Sequence, residues 1–433
     1  MRGEGGAAPR ASTRGGRRPR RRAHVLLATR VFRPEPGAAA LRLGALVDEL
    51  ATRCDVTVLT SRPPAGATGH ADHPLGARLS RWPVLRDRRG AVRGYVPYAS
   101  FDVPLLLRLL VARRADVVVV EPPPTTGAVV RLVCAVRRTP YVYYAADVLS
   151  VAVAATRAPA PVRWAVRAVE AWATRGAAAV VTVTSEVADA LLGLGVDPAR
   201  THVVGTGIDV SRFSPVEEER PHAEGAGGER ESGGPVLVYA GTMSEVHGAG
   251  VFVEAFGRLA DRFPTARLVL HGQGTDEELL RRRAEELAPG RVEFTGLVPV
   301  ADVARSLRGA RAALASVRPG AGYDFAVATK AFAATACGTP VLYAGAGPGA
   351  RLVRDNDLGW ALPWDVEAVA GAMAEALAAP PSAERREAIA RWTRTSLSAE
   401  SVATSSSTST SPTRTPSRRR RSAAMRKLMT SPV

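Results

Sequence analysis

The sequence predicts an α/β protein of two doubly wound domains facing a central cleft. Three observations lead there. Short, near-continuous apolar runs alternate with stretches of helical periodicity, the alternation occurs twice, and a charged Gly/Pro-rich segment separates the two series. Runs of this kind suit parallel strands covered on both faces, and their alternation with helices suits βαβ units.

In the first series the predicted strands are Val25–Ala28, Val56–Thr60, Val117–Val120, Tyr141–Tyr144 and Ala179–Thr184. Between the first two, Leu43, Leu46, Val47 and Leu50 recur at the spacing of one helix face. Residues 214–235, SPVEEERPHAEGAGGERESGGP, read as a linker or long surface loop. The second series follows as Val236–Ala240, Leu268–Leu270, Val292–Phe294, Ala312–Ala315 and Val341–Tyr343. The expected organisation is a basic tail over 1–23, a first domain over 24–213, a second over 236–395 and a Ser/Thr/Arg-rich tail over 396–433.

A length of 433 residues with 46% hydrophobic content supplies two packed cores. No apolar stretch reaches 18 residues, because Arg113, Arg114 and Asp116 interrupt the longest, so no spanning helix is expected. The arginine-rich start lacks the apolar core of a secretory signal. Cys54, Cys134 and Cys337 are far apart and without CxxC spacing. They read as small buried filler in a reducing cytoplasm rather than as a disulfide or zinc framework.

The net charge of +17 resides mainly in the tails. Residues 1–23 and 402–433 carry +7 each, leaving +3 for everything between. Both tails are low in complexity and are expected to be disordered. Two readings of their charge stand open: weak non-specific electrostatics, or peripheral contact with an anionic membrane on its inner face. No recognition motif accompanies the charge, so specific nucleic-acid binding is not expected.

Ligands of doubly wound sheets sit outside the carboxyl ends of the strands, so the loops after each strand are the candidate site. Gly37 precedes the first helix, where backbone amides and the helix N-terminus face an anion or simply make a turn. In the second series the glycines cluster: Gly241 and Gly248 in YAGTMSEVHGAG, Gly272 and Gly274 in LVLHGQGTDEELL, and Gly296 before Leu297 in VEFTGLVP. Glycines just past strand ends let backbone approach a phosphate closely. GAGPGA at 345–350 formally matches a dinucleotide fingerprint. It is set aside because Pro348 removes an amide donor and no clear βαβ unit surrounds it.

Taken together, these segments resemble the family-4 retaining glycosyltransferases of the GT-B fold, from about His24 to about Trp392. FRPEPGAAALRLGALVDELATRCDVTVLTSRPP is similar to the family's opening. VVGTGIDVSRFSP resembles its P-N-G-V-D-x-x-R-F-x-P phrase, and GQGTDEELLRRRAEELAPGRVEFTGLVP and ACGTPVLYAGAGPGARLVRDNDLGWAL follow in order. The resemblance implies two Rossmann-like domains. It also implies a nucleotide-diphosphate sugar as donor substrate, no cofactor and no metal. A glycan, a lipid-linked molecule or a small secondary metabolite is the implied acceptor. A leaving diphosphate needs oriented amides, helix N-termini and cations aimed at its growing charge.

The donor loop departs from the family pattern. Where the family carries an Arg and a Lys, this chain has Thr242 and His247; where it carries two glutamates, Phe325 and Ala333 stand. A family subgroup writes P-S-K-x-F-E-Y, and ATKAFAATACGTP keeps its lysine as Lys330. Lys330 and Lys427 are the two lysines among 58 basic residues. Lys330 is thus the candidate diphosphate cation; the competing reading is a surface lysine. Asp147, just past Tyr141–Tyr144, resembles the family's acceptor-side acid, able to orient or deprotonate a hydroxyl; a turn or N-cap role is the other reading. Trp164 and Trp172 read as core or interface. The functions in contention are an active glycosyltransferase, a catalytically degenerate GT-B-shaped partner protein and a non-specific nucleic-acid binder.

Overall fold

The apolar runs become the centres of two parallel sheets, each framed by helices. The computed structural model describes residues 22–396 except 36–37, 65–75, 88–89, 91, 93, 157, 206–207, 209, 211, 217–233 and 325–326. Both expected tails and most of the expected linker lie outside the described residues.

In chain order the first domain comprises β1 (His24–Ala28), α1 (Ala38–Arg53), β2 (Asp55–Ser61), β3 (Ala77–Trp82), α2 (Tyr95–Val111) and β4 (Val117–Val120). Then come α3 (Pro124–Arg137), β5 (Tyr141–Ala145), α4 (Leu149–Ala154), α5 (Ala160–Arg175), β6 (Ala179–Thr182), α6 (Ser185–Leu192) and β7 (Thr201–Val203). The strands form one seven-stranded parallel sheet in the order β3-β2-β1-β4-β5-β6-β7. Val25 stands opposite both Val56 and Val117, so the expected strands are the sheet's centre.

The second domain runs β8 (Val236–Ala240), α7 (Gly250–Gly257), β9 (Arg267–His271), α8 (Glu277–Leu287), β10 (Val292–Gly296), α9 (Val300–Gly309) and β11 (Ala312–Ser316). It closes with α10 (Lys330–Ala336), β12 (Val341–Ala344), α11 (Gly347–Asp355), β13 (Gly359–Leu362), α12 (Val366–Ala378) and α13 (Ala383–Ser396). Its six-stranded parallel sheet has the order β10-β9-β8-β11-β12-β13.

Local chemistry explains the elements. Val117–Val120 is four buried valines, β-branched and shielded on both faces. Leu43, Leu46, Val47 and Leu50 turn inward from α1, and each is worth roughly 1.5–3 kcal/mol when fully buried. α6 starts where the Thr184 hydroxyl accepts from the Val187 amide, and α12 where Asp365 accepts from Ala368. The expected strand to Thr184 therefore ends at Thr182, because Thr184 caps the next helix.

Each sheet has two cores. α1 covers one face of the first sheet, and α2, α3, α5 and α6 cover the other. In the second domain α7, α8 and α12 cover one face, while α9, α10, α11 and α13 cover the other. Phe213, on the first-domain side of the expected boundary, is 3% exposed and packs with the second domain's core, as does Ile208. Cys54, Cys134 and Cys337 are buried thiols, as the filler reading expected. Among the described residues no helix is long and apolar enough to cross a membrane.

Candidate active site

The domains meet through segments that follow strands. Gly322, after β11, lies against Ala152 of α4 and Ala155 just beyond it. Arg351 of α11 pairs with Glu186 of α6, and Leu41 of α1 rests on the second domain's core. Every one of these segments leaves the carboxyl end of its sheet, so the two carboxyl edges look toward one another across a cleft.

On the second-domain side three glycine loops stack on the sheet edge. The Gly241 amide donates to the His271 carbonyl at 2.9 Å, Met243 to Gln273 at 3.0 Å, and Gly272 to Gly296 at 2.8 Å. In this zipper the approach at Gly272 and Gly274 is too close for a side chain. A Cβ on Gly272 would lie 2.1 Å from the Gly241 carbonyl oxygen, and one on Gly274 would lie 1.7 Å from that of Met243. Gly272 also has φ +122°. Glycine here is a requirement of close backbone approach.

Lys330 opens α10 and reaches this zipper from the neighbouring strand. Its Nζ donates to the Tyr239 phenol oxygen at 2.5 Å and sits 3.8 Å from the centre of the Tyr239 ring. The Tyr239 hydroxyl in turn donates to the Thr242 carbonyl oxygen at 2.7 Å. The ammonium is partly buried beside Gly241, and burial draws its pKa down to about 7. A π face and a phenol oxygen support the charge there, and neither partner is a carboxylate. An amine so placed gains from an arriving anion.

His247 lies in the same loop, with Nδ1 2.9 Å from the Ser244 hydroxyl. Burial, and then the charge of Lys330, lower its pKa to about 3. The imidazole is neutral in the free protein, so the loop's positive charge is the lysine's. Thr242 and Leu297 are exposed beside the stack. Ala333, one turn after Lys330, is 9% exposed and packs into the core, where its methyl offers a ligand no polar contact. Gly37 and Phe325 lie outside the described residues. The site thus brings together Gly241, Thr242, His247, Gly272, Gly274 and Lys330.

One premise is corrected. GAGPGA is surrounded by a complete βαβ unit, β12-α11-β13, which the short apolar run over 359–362 concealed. Pro348 occupies the first turn of α11, where its missing donor costs no intrahelical bond.

On the first-domain side, Asp147 follows β5 and is partly buried. Burial lifts its pKa above the ordinary carboxylate value. The negative charge of Glu121 adds to the rise, and Arg42 and Arg30 oppose it. It is not the cap of α4: Glu170 takes that role, accepting from the Leu149 and Ser150 amides at 2.9 and 2.8 Å. The capping alternative therefore falls. Beside Asp147 lies a set that the sequence reading missed. Arg42 and Glu121 form a buried ion pair at 2.6 Å, Thr29 donates to the other Glu121 oxygen at 3.0 Å, and Arg42 lies 5.4 Å from the Tyr144 ring centre. Glu121 directly follows β4, the same positional signal that singled out Asp147. Trp164 and Trp172 are 73% and 45% exposed, so the core reading of both is wrong.

Two Rossmann-like parallel sheets facing one cleft define the GT-B fold, and comparisons with solved structures agree. A sucrose-phosphate synthase from Thermosynechococcus elongatus matches with a TM-score of 0.67 at 17% identity, over 89% of this chain and 98% of that one. Anabaena Alr3699/HepE, solved in complex with UDP and glucose, matches with a TM-score of 0.63 at 16% identity, over 88% and 96%. Residues 37–207 match the family described as Glycosyl transferase 4-like domain, and residues 234–379 match Glycosyl transferases group 1. Each of the two domains thus matches a glycosyltransferase family model. Among curated proteins, D-inositol 3-phosphate glycosyltransferase of Jonesia denitrificans is 30% identical over 177 residues, 39% of this chain and 41% of that protein. The chain spans about half the length, or less, of the curated relatives it matches.

Proposed function

We propose that the chain moves a sugar from a nucleotide-diphosphate donor, held on the second domain's glycine loops, to a hydroxyl presented at the first domain's edge, with retention of anomeric configuration. The observation that carries this reading is the partly buried Lys330 ammonium beside Gly241, hydrogen-bonded to a neutral phenol. In the reaction the sugar C1–oxygen bond to the diphosphate breaks and its electron pair goes to the phosphate oxygen. The acceptor oxygen bonds to C1, and its proton leaves to the departing phosphate or to Asp147. Lys330 acts on the growing phosphate charge, a place where a fixed cation lowers the barrier. Asp147, with its pKa raised by burial, orients or deprotonates the acceptor. No cofactor is needed in this scheme, and the acceptor is a glycan, a lipid-linked sugar or a small metabolite. Three buried thiols suit a reducing cytoplasm.

Titration calorimetry with a panel of nucleoside diphosphates and their sugars tests the donor. We expect one nucleotide series to bind, and Lys330→Ala to weaken it by roughly 10–100-fold. Failure of every nucleotide to bind would end the proposal. A second reading, a degenerate partner protein, draws support from Ala333 and from the neutral His247, which stand where the resembled family carries a glutamate and a cation. Turnover of any sugar nucleotide by the unmodified protein excludes it.

A further inference from the structure

The outer faces of α2, α3 and α5 are apolar where a helix covering a sheet is ordinarily polar. These helices lie side by side over one face of the first sheet and bury Phe101, Leu105, Val130, Val133 and Ala171 against it. Their opposite faces look away from the domain. On α2, Val96, Val103, Leu107 and Val111 are 66%, 68%, 62% and 84% exposed, a stripe at spacings of seven, four and four. It runs roughly 22 Å along the helix. α3 adds Leu132 and Val136, and α5 adds Trp164 and Trp172.

The charge on these helices is one-signed. Together they carry six arginines, Arg108, Arg131, Arg137, Arg163, Arg167 and Arg175. Their two acids, Asp102 and Glu170, are 5% and 0% exposed. Asp102 is bound by Thr126, and Glu170 caps α4. At the rim beyond α2, Asp55 is engaged by Arg113 and Asp116 by the His24 amide. The surface is therefore large apolar side chains set among guanidinium groups, with no exposed acid on the three helices.

We propose that this face docks on an anionic lipid bilayer, the apolar stripe entering the headgroup boundary and the arginines resting on lipid phosphates. Both components match what an interfacial surface uses, apolar area and attraction to negative lipid. Exposed Trp at the edge of such a face is placed as interfacial aromatics are. A second copy of this chain is a poor occupant, since it would set arginines against arginines with no carboxylates to receive them. The proposal stands apart from the sugar-transfer reading. It also differs from attraction by the terminal arginines, which lie outside these helices.

Vesicle flotation of the full chain separates these possibilities, using vesicles of phosphatidylcholine alone or with a third phosphatidylglycerol. We expect binding to the anionic vesicles, and a drop in partition of at least about 10-fold in Leu107→Asp/Val111→Asp with both tails intact. Trp164→Ser on the neighbouring helix should give a smaller loss, and Arg163→Ala/Arg167→Ala a loss that added salt mimics. Unchanged thermal midpoints identify the variants as folded. Equal partition of the Leu107/Val111 variant and the parent would assign any binding to the tails and overturn the proposal. So would absence of binding to anionic vesicles, indifference to lipid charge, or a solution dimer that the same variant dissociates.

Discussion

At Lys330, a lysine side chain with an ordinary pKa near 10.5 is held near 7 by burial, against the Tyr239 ring and oxygen. A bound diphosphate would restore the charged form. At pH 8 binding should therefore take up close to one proton, seen as a dependence of calorimetric heat on the buffer's ionisation enthalpy. Lys330→Ala should remove that dependence; a buffer-independent heat in the parent protein would contradict the assignment. Asp147 makes the companion case. Its pKa is raised, so the acid limb of the rate profile should lie above the ordinary carboxylate range. Asp147→Asn should lower kcat by roughly 10²–10⁴-fold while leaving nucleotide affinity intact. Lys330 was legible in the sequence because a lysine is rare among these arginines. Tyr239 was not, because a tyrosine in VLVYA reads as core and only folding brings the α10 amine over its ring. The pairing of Arg42 with Glu121, 79 residues apart, was beyond any local pattern.

Among the elements, the central strands were readable, whereas of the edge strands β10 was and β3, β7 and β13 were not. β3 alternates between half-buried and exposed residues, ARLSRW, with one neighbour strand. β7 is three residues long, and β13 is half-buried at the opposite edge of its own sheet. An apolar-run criterion detects burial on two faces, which edge strands lack. The glycine loops show the complementary success, since glycine past a strand end has few other uses. Their constraints differ in kind, and substitution should reveal it. Gly274→Ala drives a methyl into the Met243 carbonyl and should cost about 3 kcal/mol or more. Gly296→Ala meets nothing within 4 Å and suffers only its φ of +70°, a cost of roughly 1–2 kcal/mol. Urea unfolding of the two variants checks this; equal losses would show that the zipper does not bear on stability.

For the whole molecule, each domain has its own pair of cores, and the Arg351–Glu186 bridge between the domains is partly exposed. Unfolding should then resolve into two calorimetric transitions rather than one. A nucleotide at about 100 times its Kd should stabilise the second domain by about 2.7 kcal/mol and raise one transition. The other should hardly move. Both rising together would mean that the cleft contacts couple the domains more tightly than Arg351–Glu186 and the Gly322 approach suggest. The net charge of +17 belongs to this scale as well. Its concentration in the tails was visible from composition, whereas the acid-free outer surface of α2, α3 and α5 was not. A helix's outward face is set by what the sheet covers.

The amino-acid sequence by itself determined the two-sheet α/β plan, the order of its central strands along the chain, the glycine-lined turns and the singular lysine. All of these are local properties: burial on both faces, freedom from a Cβ, a residue type out of keeping with its surroundings. Tertiary structure alone decided that Lys330 rests on Tyr239, that Glu170 rather than Asp147 caps α4, and which apolar side chains remain outside. Those outcomes depend on packing between segments distant in sequence, where contact is set by the assembled sheets and not by any residue's neighbours along the chain.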